Sequence, residues 1–170
     1  MGVLLLVNGG FMLLSSLISL FSNDGFVEKI TMSSLIVIST GFVFLFFGRG
    51  YEKQIQKREG YLIVTLGWIL MSITGTIPYI MTGVIPLFSS SFFESMSGYT
   101  TTGATIIEKI DSLPKGILFW RSTTHWIGGM GIIVLAIAIL PFLGIGGTQL
   151  FSAEAPGPAS DKLHPRITDT

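Results

Sequence analysis

The hydrophobic pattern divides the chain into long apolar runs separated by short polar ones. Val3 to Phe21 is apolar except for Asn8 and a few serines, whose hydroxyls can bond back to their own helix. Thr31 to Gly48 carries no charge, and Ser22 to Lys29 is the polar connection between the two runs. About 20 apolar residues span the hydrocarbon of a bilayer as a helix, so each run predicts one span. A charged loop follows from Arg49 to Glu59, and then no charged residue appears from Tyr61 to Phe93. That stretch is too long for one helix, and Pro78, Gly83 and Pro86 divide it. We expect a third span from Tyr61 to about Met81, kinked or ended by Pro78, and a new helix starting at Pro86. Pro86 to Met96 would make roughly 16 Å of helix, half a membrane. Such a helix must lie on the surface or dip in and return. Ile107 to Lys115 is charged, Gly116 to Pro141 predicts a fourth span, and a Gly/Pro-rich tail begins at Gly144.

Composition agrees. Hydrophobic residues make up 49% and charged residues 12%, against about 25% charged in soluble domains, and mean hydropathy is +0.69. The fold class expected is therefore an all-α membrane protein embedded in a lipid bilayer. Formal net charge is zero, so no global field points to nucleic acid or acidic substrates. Without cysteine, disulfides, zinc–thiolate sites and thiol nucleophiles are excluded. The start lacks a basic n-region and a small-residue cleavage site, which argues against a secretory signal. An apolar run beginning at Met1 and a polar end at Thr170 suggest a piece of something longer; a self-contained small protein is the alternative.

With four spans, both termini and the loop between spans two and three lie on one side. That side carries Arg49, Lys53, Lys57, Arg58, Lys162 and Arg166; the other carries Lys29, Lys109 and Lys115. The positive-inside rule then places both termini in the cytoplasm.

The stretch from Ser97 to Thr105 is small, hydroxyl-rich and lacks the Asp, Asn, Lys and Pro of soluble loops. After a half-length helix it reads as a re-entrant pore loop, because irregular backbone at membrane depth is tolerated only when buried in protein or lining water. The helix would bring its negative C-terminal end towards the bilayer centre, which suits a cation. The chain would then return extended, with the oxygens of Thr101, Thr102, Gly103 and Ala104 replacing a hydration shell. Gly98 and Gly103 can take positive φ to turn carbonyls inward, and Thr102 can add a hydroxyl oxygen. One such loop is one wall, so several must surround an axis. A polar loop at the membrane surface is the competing reading.

Glu94 in the short helix and Arg121 near the start of the fourth span are charges at membrane depth, which are usually paired; we expect them to brace the loop. Gly128, Gly129 and Gly131 permit close helix packing or a hinge. His125, four residues after Arg121, reads as a packed histidine ahead of a proton relay, and Asn8 as a helix–helix hydrogen bond. The chain carries no P-loop motif, no metal-ligand spacing and no nucleophile–base pair. No cofactor is expected.

The run Phe93-Glu94-Ser95-Met96-Ser97-Gly98-Tyr99-Thr100-Thr101-Thr102-Gly103-Ala104-Thr105 resembles the first pore loop of the Trk/Ktr/HKT superfamily of potassium transporters. The resemblance continues through Trp120-Arg121-Ser122, Trp126-Ile127-Gly128-Gly129-Met130-Gly131-Ile132, Gly146-Gly147 and Glu154-Ala155-Pro156-Gly157-Pro158. It is closest to the bacterial Trk-type membrane subunit. It implies a leading helix pair (residues 1–48), a basic cytoplasmic loop (49–60) and one potassium-channel-like pore unit (61–142). Within that unit it implies helix 61–82, pore helix 86–97, filter 98–105 and helix 116–141. Residues 143–170 would be a cytoplasmic tail, the truncated start of the next unit. The family carries four such units per chain, forms homodimers and binds cytosolic nucleotide-binding regulatory subunits. Glycine at the position of Gly103 goes with potassium, which implies the ion at Thr102 and Gly103. Against the potassium-channel filter only the central glycine remains, and Thr105 stands in place of the last one.

Potassium uptake across the inner membrane by the complete protein is thus the leading functional expectation. Three others stay open: a homotetrameric channel of this short chain, a non-conducting interaction or regulatory membrane protein, and a membrane enzyme. The last is weakest, since Ser97 has no neighbouring base and Asp111 lies in a polar loop.

Overall fold

A computed structural model of the chain describes the backbone of residues 1–48 and 57–139, and the side chains of 1–48 and 59–134. Most of the basic loop, the side chains of Lys57 and Arg58, and the tail with Gly146, Gly147, Glu154, Lys162, His164 and Arg166 lie outside the described residues. The chain divides into two compact units, Met1–Ile132 and Ile133–Thr170. Of the second, helical backbone through Ile139 and the side chains of Ile133 and Val134 are described.

The regular structure among the described residues is helical, with no strand. Helices α1 (Gly2–Ser22) and α2 (Val27–Phe47) each have 21 residues. With Glu59–Thr82 they are the helices among the described residues that meet the length and hydropathy needed to cross a membrane. Helix α6 (Lys115–Ile139) occupies the place of the fourth expected span.

Small residues let α1 and α2 close on each other. A side chain at Gly9 would overlap Ile38, and one at Gly2 would meet Leu45 and the Gly41 carbonyl. Hydroxyls join the pair where lipid offers no partner: Ser34 Oγ donates to the Gly9 carbonyl at 2.8 Å, and Ser16 and Thr31 hydroxyls meet at 2.5 Å. Ser15 bonds back to the Phe11 carbonyl at 3.1 Å, as its place in an apolar helix requires. Helix α1 ends where Asn23 takes the left-handed conformation, φ 52°, which asparagine tolerates. Outward faces carry Phe21, Phe46 and Phe47, all largely exposed, as suits lipid contact.

The third span is broken. Helix α3 (Lys57–Gly75) stops, and α4 (Ile77–Thr82) starts after Thr76, with Pro78 in its first turn. The proline therefore acts two residues after the break, where a missing N–H costs least. Gly83, φ 80°, ends α4. Helix α5 (Phe88–Tyr99) begins two residues later than Pro86 leads one to expect, because Leu87 is extended at its N-cap. It also runs past the expected end. Its 12 residues make about 18 Å. The core that seats it contains Leu5, Met12, Met71, Tyr79, Tyr99, Ile117 and Trp120.

Candidate functional site

Ser97, Gly98 and Tyr99 are the last turn of α5 rather than open loop. Gly98 accordingly does not take positive φ. Its reason is space: a methyl group there would overlap the Thr124 hydroxyl on α6. The turn that leaves the helix instead places Thr101 at φ 56° and Gly103 at φ 77°. The amides of Thr100, Thr101 and Thr102 stay bonded to the carbonyls of Met96, Gly98 and Ser97, at 2.9, 3.0 and 3.0 Å. They close off the end of the helix.

What remains open is the set of carbonyls beyond them. Among the described residues, no hydrogen bond reaches the carbonyl of Thr100, Thr101, Thr102 or Gly103; that of Tyr99 is covered by Gly128 of α6. Thr100 to Ala104 are all exposed in this single chain. Ala104 differs in one respect, since its carbonyl accepts from Ser97 Oγ at 2.6 Å. The Thr100 and Thr102 hydroxyls lie 2.8 Å apart, and the former donates to the Met96 carbonyl.

The segment that follows the loop is held from behind by Glu94. Its carboxylate is almost fully buried and accepts from Thr105 Oγ1 at 3.0 Å, from the Ile106 N–H at 3.1 Å and from Arg121 Nε at 2.8 Å. Glu94 on α5 and Arg121 on α6 are thus a buried ion pair, and the carboxylate also joins α5 to the segment that follows the loop. The Thr105 hydroxyl was not legible as a partner in the sequence; a threonine in a threonine-rich run gives no sign of facing backwards.

The glycines of α6 separate by role. A methyl group at Gly128 would overlap the Tyr99 carbonyl, and one at Gly131 would lie 3.0 Å from the Trp68 ring. Gly129 is open, with the nearest atom, the Thr101 methyl, 4.0 Å away. His125 Nδ1 lies 3.1 Å from the Arg121 carbonyl, one turn back on its own helix. Behind α5, Tyr99 Oη donates to Asn8 Oδ1 at 2.5 Å, and Trp120 Nε1 donates to the Gly75 carbonyl at the end of α3, at 3.2 Å.

Residues 28–170 match the model of the TrkH family, described as cation transport protein. The chain belongs to the TrkH cation transport protein family. It is 44% identical to the Trk system potassium uptake protein TrkH of Salmonella typhimurium, over 99% of this chain and 35% of that protein. It is 47% identical to TrkG of Escherichia coli over 69% of this chain and 24% of that protein. In solved structures it resembles the potassium transporter TrkH from Vibrio parahaemolyticus, with a TM-score of 0.79 and 41% identity, covering 86% of this chain and 31% of that one. The chain thus spans about a third of the length of these TrkH relatives. The family is one of cation transporters, which sets aside the reading as a membrane enzyme. The chain is an all-α, multi-pass membrane protein.

Proposed function

We propose that this chain supplies one helix–pore-helix–filter–helix unit of a potassium-conducting pore, preceded by a helix pair. The observation that carries this is the run Thr100 to Gly103. Its main-chain carbonyls are free of internal partners at the end of a half-length helix, while the segment beyond is fixed from behind by Glu94. Carbonyls without protein partners can replace water around a cation, provided that the backbone holding them does not move. Oxygens of Thr101, Thr102 and Gly103 are the ligands, with potassium at Thr102 and Gly103. Ala104 contributes less than expected, because its carbonyl already accepts from Ser97.

Glu94, Arg121 and Gly98 support this segment, Gly128 allows α6 to approach its start at Tyr99, and Gly131 allows α6 to approach Trp68 of α3. One unit supplies one wall, and the remaining units of a longer chain complete the ring. Dimerisation, a cytosolic nucleotide-binding regulatory partner, an inner-membrane location and cytoplasmic termini belong to the same proposal. They rest on family likeness and on the basic residues.

The test is potassium uptake at low external concentration by a transport-deficient cell expressing the complete protein that contains this sequence. Gly103→Ser and Gly103→Asp should change rate or ion preference at normal membrane abundance. Unchanged uptake in both would remove the filter assignment.

A further inference from the structure

We propose that the leading helix pair positions the filter through Asn8, acting on Tyr99. This rests on the pore reading above and extends it to a residue outside the pore unit itself.

Tyr99 is the last residue of α5 and immediately precedes the open carbonyls. Its backbone and side chain are held from opposite sides. The carbonyl abuts Gly128 of α6, with no space for a side chain there. The phenol runs the other way, fully buried, and donates to Asn8 Oδ1 at 2.5 Å across 91 residues of sequence. Asn8, also fully buried, donates through Nδ2 to Thr74 Oγ1 at 3.2 Å. Thr74 donates in turn to the carbonyls of its own helix at Leu70 and Met71, at 3.0 and 3.1 Å. The donor direction is consistent from α5 through α1 to α3.

Few residue types can stand at position 8. The site needs an acceptor for the phenol and a donor for the threonine on one short side chain, which asparagine supplies and ionised aspartate does not. Gly75, one residue after Thr74, would place a methyl group 2.9 Å from Tyr99 Cε2, so the ring is clamped as well as bonded. A ring fixed at its tip and edge fixes the rotation of the last helical turn. That rotation sets where the carbonyls from Tyr99 to Thr101 point.

A second link makes the helix pair part of the wall. The Asp24 carboxylate, in the α1–α2 loop, accepts from the Gly116 N–H in the first turn of α6 at 3.0 Å. Gly116 itself has no space for a side chain against Ser19 and Ile30. The pair therefore holds both the pore helix and the helix behind it.

The test uses the complete protein containing this sequence. Tyr99→Phe, Asn8→Leu, the Asn8→Leu/Tyr99→Phe double variant and Gly103→Ser are compared for membrane abundance, apparent potassium affinity and potassium-to-sodium uptake ratio. Asn8→Leu alone strands a buried phenol and should lower abundance. The double variant strands no phenol, and Thr74 retains its helix partners, so abundance should recover. Ion preference should not recover: Tyr99→Phe and the double variant should shift affinity or ratio by about threefold, the size of one membrane-buried hydrogen bond.

A purely structural role predicts the reverse, with wild-type ion handling wherever abundance is normal, and that result overturns the inference. If Gly103→Ser alters ion handling while Tyr99→Phe and the double variant do not, this inference fails and the filter reading stands. If Gly103→Ser is silent as well, both fall.

Discussion

Arg121 Nε meets Glu94 Oε1 at 2.8 Å, and the same carboxylate takes the Thr105 hydroxyl and the Ile106 N–H. One buried group thus neutralises a charge on α6 and ties the segment after the loop to the helix before it. An ion pair alone would need only opposite signs. Here one partner must also be an acceptor.

Removing one partner should be costly. Arg121→Met leaves a buried carboxylate without its cation and should destabilise the protein by about 3–5 kcal/mol, read as lost folded yield and a lower melting temperature in detergent. Exchanging the charges, Glu94→Arg with Arg121→Glu, should recover part of the yield but not uptake. Arginine has no acceptor for Thr105 or Ile106. Full recovery of uptake by the exchange would show that only charge matters.

Two neighbouring glycines should respond differently to the same methyl group. Gly128→Ala forces α6 away from the Tyr99 carbonyl and should cost about 1–3 kcal/mol. Gly129→Ala meets open space and should stay within about 0.5 kcal/mol. Thermal unfolding of the two variants side by side measures the difference, and equal losses would contradict the close approach of α6 to α5.

Gly103 faces no atom within 4 Å, so its requirement is conformational, at φ 77°. A β-branched residue there should cost more than asparagine, which tolerates the left-handed region. Gly103→Asn is expected to assemble better than Gly103→Val. Size-exclusion profiles of the two variants would check this independently of transport.

Asp24 should make the link between the α1–α2 loop and α6 acid-sensitive. Burial alone would raise its carboxyl pKa, but the Ser19 hydroxyl and the N–H groups of Gly116 and Phe26 outweigh that and hold it below its ordinary value of 3.8. A depressed folded pKa means that the stabilisation is fully present above the unfolded value and is lost as pH falls through the folded one. The wild-type melting temperature should therefore fall below about pH 4 more steeply than that of Asp24→Asn, which lacks the titrating group. Parallel profiles for the two proteins would refute the link.

Much of the architecture was legible because it is local. Whether 20 residues can cross hydrocarbon depends on their own side chains, so α1, α2 and the start of the third span follow from apolar runs and intervening charges. A helix of half-membrane length is likewise a matter of counting between Pro86 and Met96. Element ends were less legible. Gly98 reads as a turn residue by type, yet it is helical, because what it must avoid is the Thr124 hydroxyl on a helix 26 positions away. Thr101, with no glycine to announce it, takes the positive φ instead.

By itself the sequence determined that this is a multi-span α-helical membrane protein, and its motifs pointed to a cation-transport family. Both follow from composition and order along the chain. Tertiary structure alone decided which polar groups meet. Asn8 could be recognised as a group needing a partner, but not that the partner is Tyr99. Arg121 was an expected mate for Glu94, whereas Thr105 and Ile106 were not. A buried polar side chain in a bilayer is stabilised by a bond within the protein, and which one it finds depends on helix rotation and depth. Those are set by close contacts of small residues on several helices at once, and no single stretch of chain contains them.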